Sequence, residues 1–223
     1  MMVWVLTTLA AYVASLCLYR FSGHHLLCLP VLTGTALVLA ALALASTSYP
    51  VYAEATRVLR WMTGPAIIAL AVPLYRQGVL LRRLARPLLW ALLAGCLTSV
   101  LGTLGLAWLL GAPGSFALSL APKSATMPMA MLAAERAGGV PAVAAMAVVA
   151  TGVFGTLIAG PLLRRLRIDD ESTHSFTLGL VAHAIGVARV LQTHPGSVAF
   201  AALAMGLNGV LTAMVLALLP RWL

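Results

Sequence analysis

Charge is scarce along this chain: Asp, Glu, Lys and Arg make up 9% of its 223 residues, and the single lysine stands at position 123. With 62% hydrophobic residues, the apolar surface is too large to hide in one soluble core, so lipid is the expected solvent. The period-two alternation of a membrane barrel is missing, which leaves helices as the way to satisfy a backbone in lipid. Also missing are G-x-S-x-G, H-E-x-x-H and any pair of intramembrane carboxylates. Their absence removes the usual nucleophile, zinc and aspartyl routes to hydrolysis, so the chain is expected not to be an enzyme. Cys17, Cys28 and Cys96 lie in apolar stretches without metal-ligand spacing and read as small buried residues. No metal or cofactor is expected.

What the chain has is a series of apolar runs, at 2–19, 25–45, 61–75, 88–111, 116–134, 139–163, 175–192 and 196–220. A full span needs about 20 residues. The runs ending at 45, 111, 163 and 220 are long enough and the first nearly so, whereas 61–75 is short. Proline or glycine interrupts 116–134 and 175–192. The first run lacks a basic leader and is followed by further apolar segments, so it reads as a span and not a cleaved signal. The expected fold is an all-α polytopic membrane protein with about six to eight membrane segments. It forms one domain over 1–223, with N-terminal spans in 1–60 and a motif-bearing core in 61–223.

The formal charge of +9 does not point to nucleic acid, because the thirteen arginines fall mostly between apolar runs, where they set membrane orientation. Arg76, Arg82, Arg83 and Arg86 mark one cytoplasmic connection, and Arg164, Arg165 and Arg167 another. Run 88–111 leaves the cytoplasm. If 116–134 and 139–163 both crossed, the second basic cluster would end outside. Run 116–134, which carries Pro122, Lys123 and Pro128, is therefore expected to enter, break and return. Phe116 onward, F-A-L-S-L-A-P-K-S, can be laid over F-T-L-G-L-V-A-H-A from Phe176, which sets Lys123 opposite His183. With a shift of three residues, T-G-V-F from Thr151 meets N-G-V-L from Asn208. This suggests repeats over 116–163 and 176–220, each a broken element plus a full span. A unit with an odd number of crossings inverts when repeated, so the two broken elements would meet from opposite faces.

The chemistry concentrates in these two breaks. A cation inside an apolar run normally faces a cavity or a partner, which makes Lys123 the first functional candidate. Pro122 and Pro128 supply no backbone N–H, and Ser124 and Thr126 bring hydroxyls. Together with a half-helix N-terminus, they describe a site for a small carboxylate. The second break, H-A-I-G-V-A-R, offers the titratable His183, Gly186 for close backbone approach, and Arg189 for a bidentate grip on a carboxylate. Each has a plainer alternative: Lys123 and Arg189 as interfacial anchors, His183 as a packed core residue. Asn208 either lines the path or bonds a neighbouring helix. Glycines 152, 155, 160, 206 and 209 read as close-packing positions. Asp169, Asp170 and Glu171 read as the start of a helix, and Glu135 with Arg136 as an interfacial pair.

At these residues the chain resembles the LrgB family, known also through CidB and through the carboxyl-terminal half of plant plastid glycolate/glycerate translocators. The resemblance rests on G-P-A-I-I-A-L-A-V-P-L-Y from Gly64, S-L-A-P-K-S-A-T-M-P-M-A from Ser119, G-G-V-P-A from Gly138, T-G-V-F-G from Thr151, H-A-I-G-V-A-R from His183 and the terminal A-M-G-L-N-G-V-L-T. It covers about residues 60–220 with strong motif order and is weaker before that. S-A-T-M-P stands where the family more usually has S-V-T-T-P, so a hydroxyl is lost at Met127. The resemblance implies two activities. One is movement of small hydroxy- or keto-carboxylates such as glycolate, glycerate or pyruvate. The other is control of murein hydrolase activity and autolysis with a smaller holin-like partner of the LrgA type. It implies the inner membrane of a bacterium, and the chain is expected to sit there as a multi-pass protein, with self-association also open. The residues themselves favour a carrier working by alternating access. The alternative is a holin-like pore or regulatory subunit.

Overall fold

A computed structural model of the chain describes residues 2–218. Residues 219 and 220, which close the last apolar run and the second expected repeat, lie outside the described residues. Every regular element among the described residues is helical. The contacts divide the chain into two compact units at Ala71/Val72.

The first unit pairs α1 (Met2–Phe21) with α2 (Pro30–Leu44). Gly34 makes the close approach: a Cβ there would lie 3.2 Å from the Ser15 hydroxyl. A bend of 117° leads from α2 to α3 (Tyr49–Ala55), whose Tyr52 meets Thr8 at 3.1 Å and packs edge-on against Trp4. Run 25–45 is therefore not one straight span. Proline lacks an N–H and holds the preceding residue extended. Pro30 accordingly opens α2, with Leu29 at φ −48°, ψ 130°, and the 15-residue helix is about 22 Å long. α4 (Arg57–Ala69) follows.

The second unit begins with the short α5 (Ala71–Arg76) and α6 (Gly78–Arg83), then α7 (Ala85–Leu109). α8 (Gly114–Leu120) and α9 (Met127–Ala137) flank an irregular segment, 121–126. α10 (Pro141–Arg165), α11 (Glu171–Thr193) and α12 (Val198–Leu218) complete the unit. By length and composition, Met2–Phe21, Arg57–Arg76, Ala85–Leu109, Pro141–Arg165, Glu171–Thr193 and Pro195–Leu218 are each able to cross a membrane. The short run 61–75 thus gains its length by recruiting the flanking Arg57, Arg60 and Arg76.

Geometry removes one of these six from the crossing set. The hydroxyls of Ser175 and Ser197 are 2.6 Å apart, and a Cβ on Gly179 would overlap the Ala201 backbone. The first limb of α11 and the start of α12 therefore run side by side in the same direction. A straight helix from 175 to 193 would end about 27 Å away, and the connection 194–197 spans at most about 14 Å. α11 must double back. It does so at His183, whose φ of 42° and ψ of −127° are not helical. A Cβ on Gly186 would overlap the Leu178 carbonyl across that turn, as expected of two limbs, 171–182 and 184–193, folded on one another.

The segment 114–137 also returns. Gly139 is pressed against Leu118 and Ser119, and the Val140 amide donates to the Ser119 hydroxyl at 2.6 Å. Its exit therefore abuts the last turn of α8, so the chain closes on itself between Ser119 and Gly139. Arg86 at the start of α7 and Arg164 and Arg165 at the end of α10 then share one side, the arrangement that grouped arginines demand.

Candidate functional site

Two interrupted segments meet inside the second unit. The first carries Ala121 to Thr126, where Pro122 has no N–H and is almost fully buried. Backbone bonds here are turn-like, Lys123 N to Leu120 O at 3.1 Å and Ala125 N to Pro122 O at 2.9 Å. Pro128 lies outside the interruption. It occupies the first turn of α9, where a missing N–H costs nothing, so Pro122 is the proline within the break. Thr126 is the half-buried N-cap of α9, and its side chain makes no capping bond.

Asn208 joins the two breaks. Its Nδ2 donates to the Ser124 carbonyl at 2.9 Å and to the Leu180 carbonyl at 3.2 Å. Carbonyls only accept, so the amide orientation is dictated and Oδ1 faces elsewhere, without a donor among the described residues. Asn208 is 1% exposed, His183 3% and Ser124 7%, so the junction is closed. Its depth follows from the helices that touch it. Ser99 on α7, Val148 on α10 and Asn208 on α12 each lie about 10 Å or more from the nearer end of their helix.

The tie is reciprocal. Asn208, on the helix that follows the second break, holds the first break. The Nε2–H of His183, in the second break, donates to the Val148 carbonyl on α10 at 3.0 Å, and α10 follows the first. Val148 in turn packs on Ala125 and Ala130. Glycines open both slots. A Cβ on Gly152 would lie 2.7 Å from His183 Cε1, and one on Gly209 would lie 2.8 Å from Met129 Sδ. These are the two glycines that alignment of T-G-V-F with N-G-V-L superposes. Gly155 also packs closely, against Val181 and Ala182, while Gly160 and Gly206 meet nothing within 4 Å.

Lys123 turns toward α7. Its ammonium donates to the Ser99 carbonyl at 3.3 Å, to the Ser99 hydroxyl at 3.2 Å and to the Thr103 hydroxyl. Ser124 Oγ lies 2.7 Å from Ser99 Oγ, so α7 holds both residues of the break. Lys123 has no carboxylate partner among the described residues, and its charge is left unneutralised. Gly186 serves the hairpin's own backbone. Arg189 is half-buried on the returning limb, about 9 Å along it from His183. Glu135 and Arg136 form no ion pair among the described residues. Of the loop acids, Asp170 is the cap: it accepts from the Thr173 amide and hydroxyl, both at 2.7 Å. Those bonds, the hydroxyl's first, hold its carboxyl below the usual range.

Ser99 and Thr103 escaped the sequence reading, although the signal was there: two hydroxyls spaced i, i+4 inside an apolar span share one face. The Val148 and Leu180 carbonyls are backbone groups, which no residue type announces.

Comparison with known proteins adds lineage to this geometry. The profile of the LrgB-like family matches residues 8–222. The uncharacterized protein YxaC of Bacillus subtilis (strain 168) is 34% identical over 93% of this chain and 90% of its own length. An uncharacterized protein of Haemophilus influenzae is 32% identical over 81% of this chain and 79% of its own. The antiholin-like protein LrgB of Bacillus cereus (strain B4264) is 26% identical over 95% of this chain and 92% of its own. No solved structure matches.

Proposed function

The chain belongs to the LrgB-like family, and on that footing we propose that this multi-pass helical membrane protein carries small carboxylates, such as glycolate, glycerate or pyruvate, across the bacterial inner membrane by alternating access. The observation that carries the reading is the junction itself. Two broken segments are pinned to one amide at Asn208, beside a lysine whose charge no acid among the described residues offsets. An unpaired cation at membrane depth is costly, and a bound carboxylate removes that cost. Ser124, Thr126 and Gly186 shape the closed junction, His183 and Asn208 hold its tips, and Arg189 attracts the anion from the rim. The stretches 116–163 and 176–220 act as inverted repeats that rock about this point.

A second reading is favoured by the name of the Bacillus cereus relative: an antiholin-like regulator of murein hydrolase export and autolysis, acting with an LrgA-type membrane subunit. The relatives' names support this reading better than they support carboxylate movement. The closed junction supports the carrier over a wide pore. The two are separated by saturability.

The test is uptake of radiolabelled pyruvate and glycolate into proteoliposomes, with and without an LrgA-type partner and an imposed pH gradient. A carrier saturates, is competed by chemical relatives, and loses uptake in Lys123→Met and Arg189→Met while remaining folded. Unsaturable leakage of unrelated solutes, or undiminished uptake by both variants, sinks the carrier reading and leaves the regulator.

A further inference from the structure

The oxygens that receive Lys123 form a cradle with the character of a monovalent-cation site. An ammonium has three N–H donors and no acceptor. All three find a neutral oxygen on α7: the Ser99 carbonyl at 3.3 Å, the Ser99 hydroxyl at 3.2 Å, and the Thr103 hydroxyl. The Thr103 hydroxyl gives its own proton to the Ser99 carbonyl at 2.6 Å, so its lone pairs are turned outward to the lysine. Ser124, next in sequence to Lys123, bonds the Ser99 hydroxyl at 2.7 Å. The cradle is thus completed by the break that delivers the charge.

One feature defines what such a site takes: it contains no carboxylate among the described residues. Neutral oxygens leave a divalent ion's second charge unbalanced at membrane depth, so divalent ions are excluded on charge, while a large, weakly hydrated monovalent cation, close to an ammonium in size and charge, fits. Replacing the hydration of such an ion with carbonyl and hydroxyl oxygens is the chemistry of potassium-selective sites.

We propose that Ser99 and Thr103 build a monovalent-cation site that the chain fills permanently with its own Lys123 ammonium. The protein therefore carries a tethered cation where an inorganic one would otherwise be needed, and anion passage, on the carrier reading above, is independent of sodium and potassium. Truncating the lysine opens the cradle to an ion of its size.

The experiment is thermal unfolding of the purified full-length protein in detergent, in KCl, NaCl or choline chloride at equal ionic strength. The wild type is expected to unfold at one temperature in all three salts. Lys123→Ala is expected to melt lower in choline and to recover with KCl in a saturable, concentration-dependent way. Lys123→Met, whose side chain fills the cradle without charge, is expected to stay low in every salt, and Lys123→Ala with Thr103→Val is expected to lose the recovery. No potassium or sodium recovery in Lys123→Ala, or equal recovery in Lys123→Met, overturns the proposal. If Lys123→Ala does not fold, the wild type decides: dependence of its melting temperature on potassium or sodium over choline overturns the proposal, and indifference upholds it. Melting needs no transport, so the cradle is judged even where the carrier reading fails. Sodium- or potassium-dependent uptake by the wild type would refute the tethered cation alone.

Discussion

The imidazole of His183 occupies the space that a side chain at Gly152 would need: a Cβ there would sit 2.7 Å from Cε1 and 3.0 Å from Nε2. The pair packs the tip of one re-entrant segment into the flank of a full-length helix. The same ring donates to the Val148 carbonyl at 3.0 Å, one helical turn before Gly152. Any methyl at 152 must displace the ring or break that bond. Gly152→Ala is expected to lower stability by about 1–3 kcal/mol through overpacking and to reduce solute uptake. Gly160→Ala, where a Cβ meets nothing within 4 Å, is the matched control and should leave both unchanged. Equal melting temperatures for the two variants would refute the packing argument.

His183 holds φ 42° and ψ −127°, a conformation glycine adopts freely and other residues reach at about 1–3 kcal/mol. His183→Gly and His183→Ala both lose the bond to Val148, but only the alanine retains the backbone cost. His183→Gly is therefore expected to be the more stable of the two by about 1 kcal/mol, once the greater chain entropy of glycine is set against the relieved strain. Denaturation of both variants in the same detergent measures this, and an alanine variant at least as stable as the glycine one would refute it.

Asn208 donates to two carbonyls on two separate breaks. Asn208→Ala leaves both buried acceptors unpaired and is expected to cost about 1–3 kcal/mol. Asn208→Asp keeps the shape but faces the same carbonyls with acceptors only, so it should cost more than alanine at neutral pH. An aspartate variant as stable as wild type would mean that the amide donates nothing essential.

Asp170 caps α11 through the Thr173 amide and hydroxyl, which depress its carboxyl pKa. A depressed carboxyl stabilises the fold above its unfolded pKa, about 3.9, and that contribution fades as the pH falls through the lower folded value. Solvent screens this exposed cap, so Asp170→Ala is expected to cost only about 0.5–1 kcal/mol at pH 7. The wild-type and variant melting temperatures should converge as the pH falls below the unfolded carboxyl value and through the lower folded one. A gap that persists unchanged at low pH would assign the loss to something other than the carboxylate.

Much of this was legible in the residues. Apolar runs separated by arginines, without the period-two alternation of a barrel, specify helices in lipid, because only helices and closed barrels satisfy their backbone there. The parity of the basic clusters at Arg86 and Arg164 required one element near Pro122 to turn back, and Lys123 stood out because an intramembrane cation is expensive. Alignment of T-G-V-F with N-G-V-L paired two glycines that prove to be two packing slots. The partners of these residues were not legible. Lys123 is expected to face a cavity or a partner, and its three donors rest on Ser99 and Thr103 of α7. Gly186 is expected to permit close backbone approach, and the backbone that approaches is the Leu178 carbonyl of its own hairpin.

By itself, then, the sequence determined the class of the protein, the places where its helices fail and the charge set at one of them, since hydropathy, proline and lysine act locally. The tertiary structure alone decided that α11 doubles back and that Asn208 spans both breaks. It also decided that the Val148 and Leu180 carbonyls take part. The physical reason is that an interrupted helix leaves free backbone groups, and which distant donor satisfies them depends on how full-length helices pack.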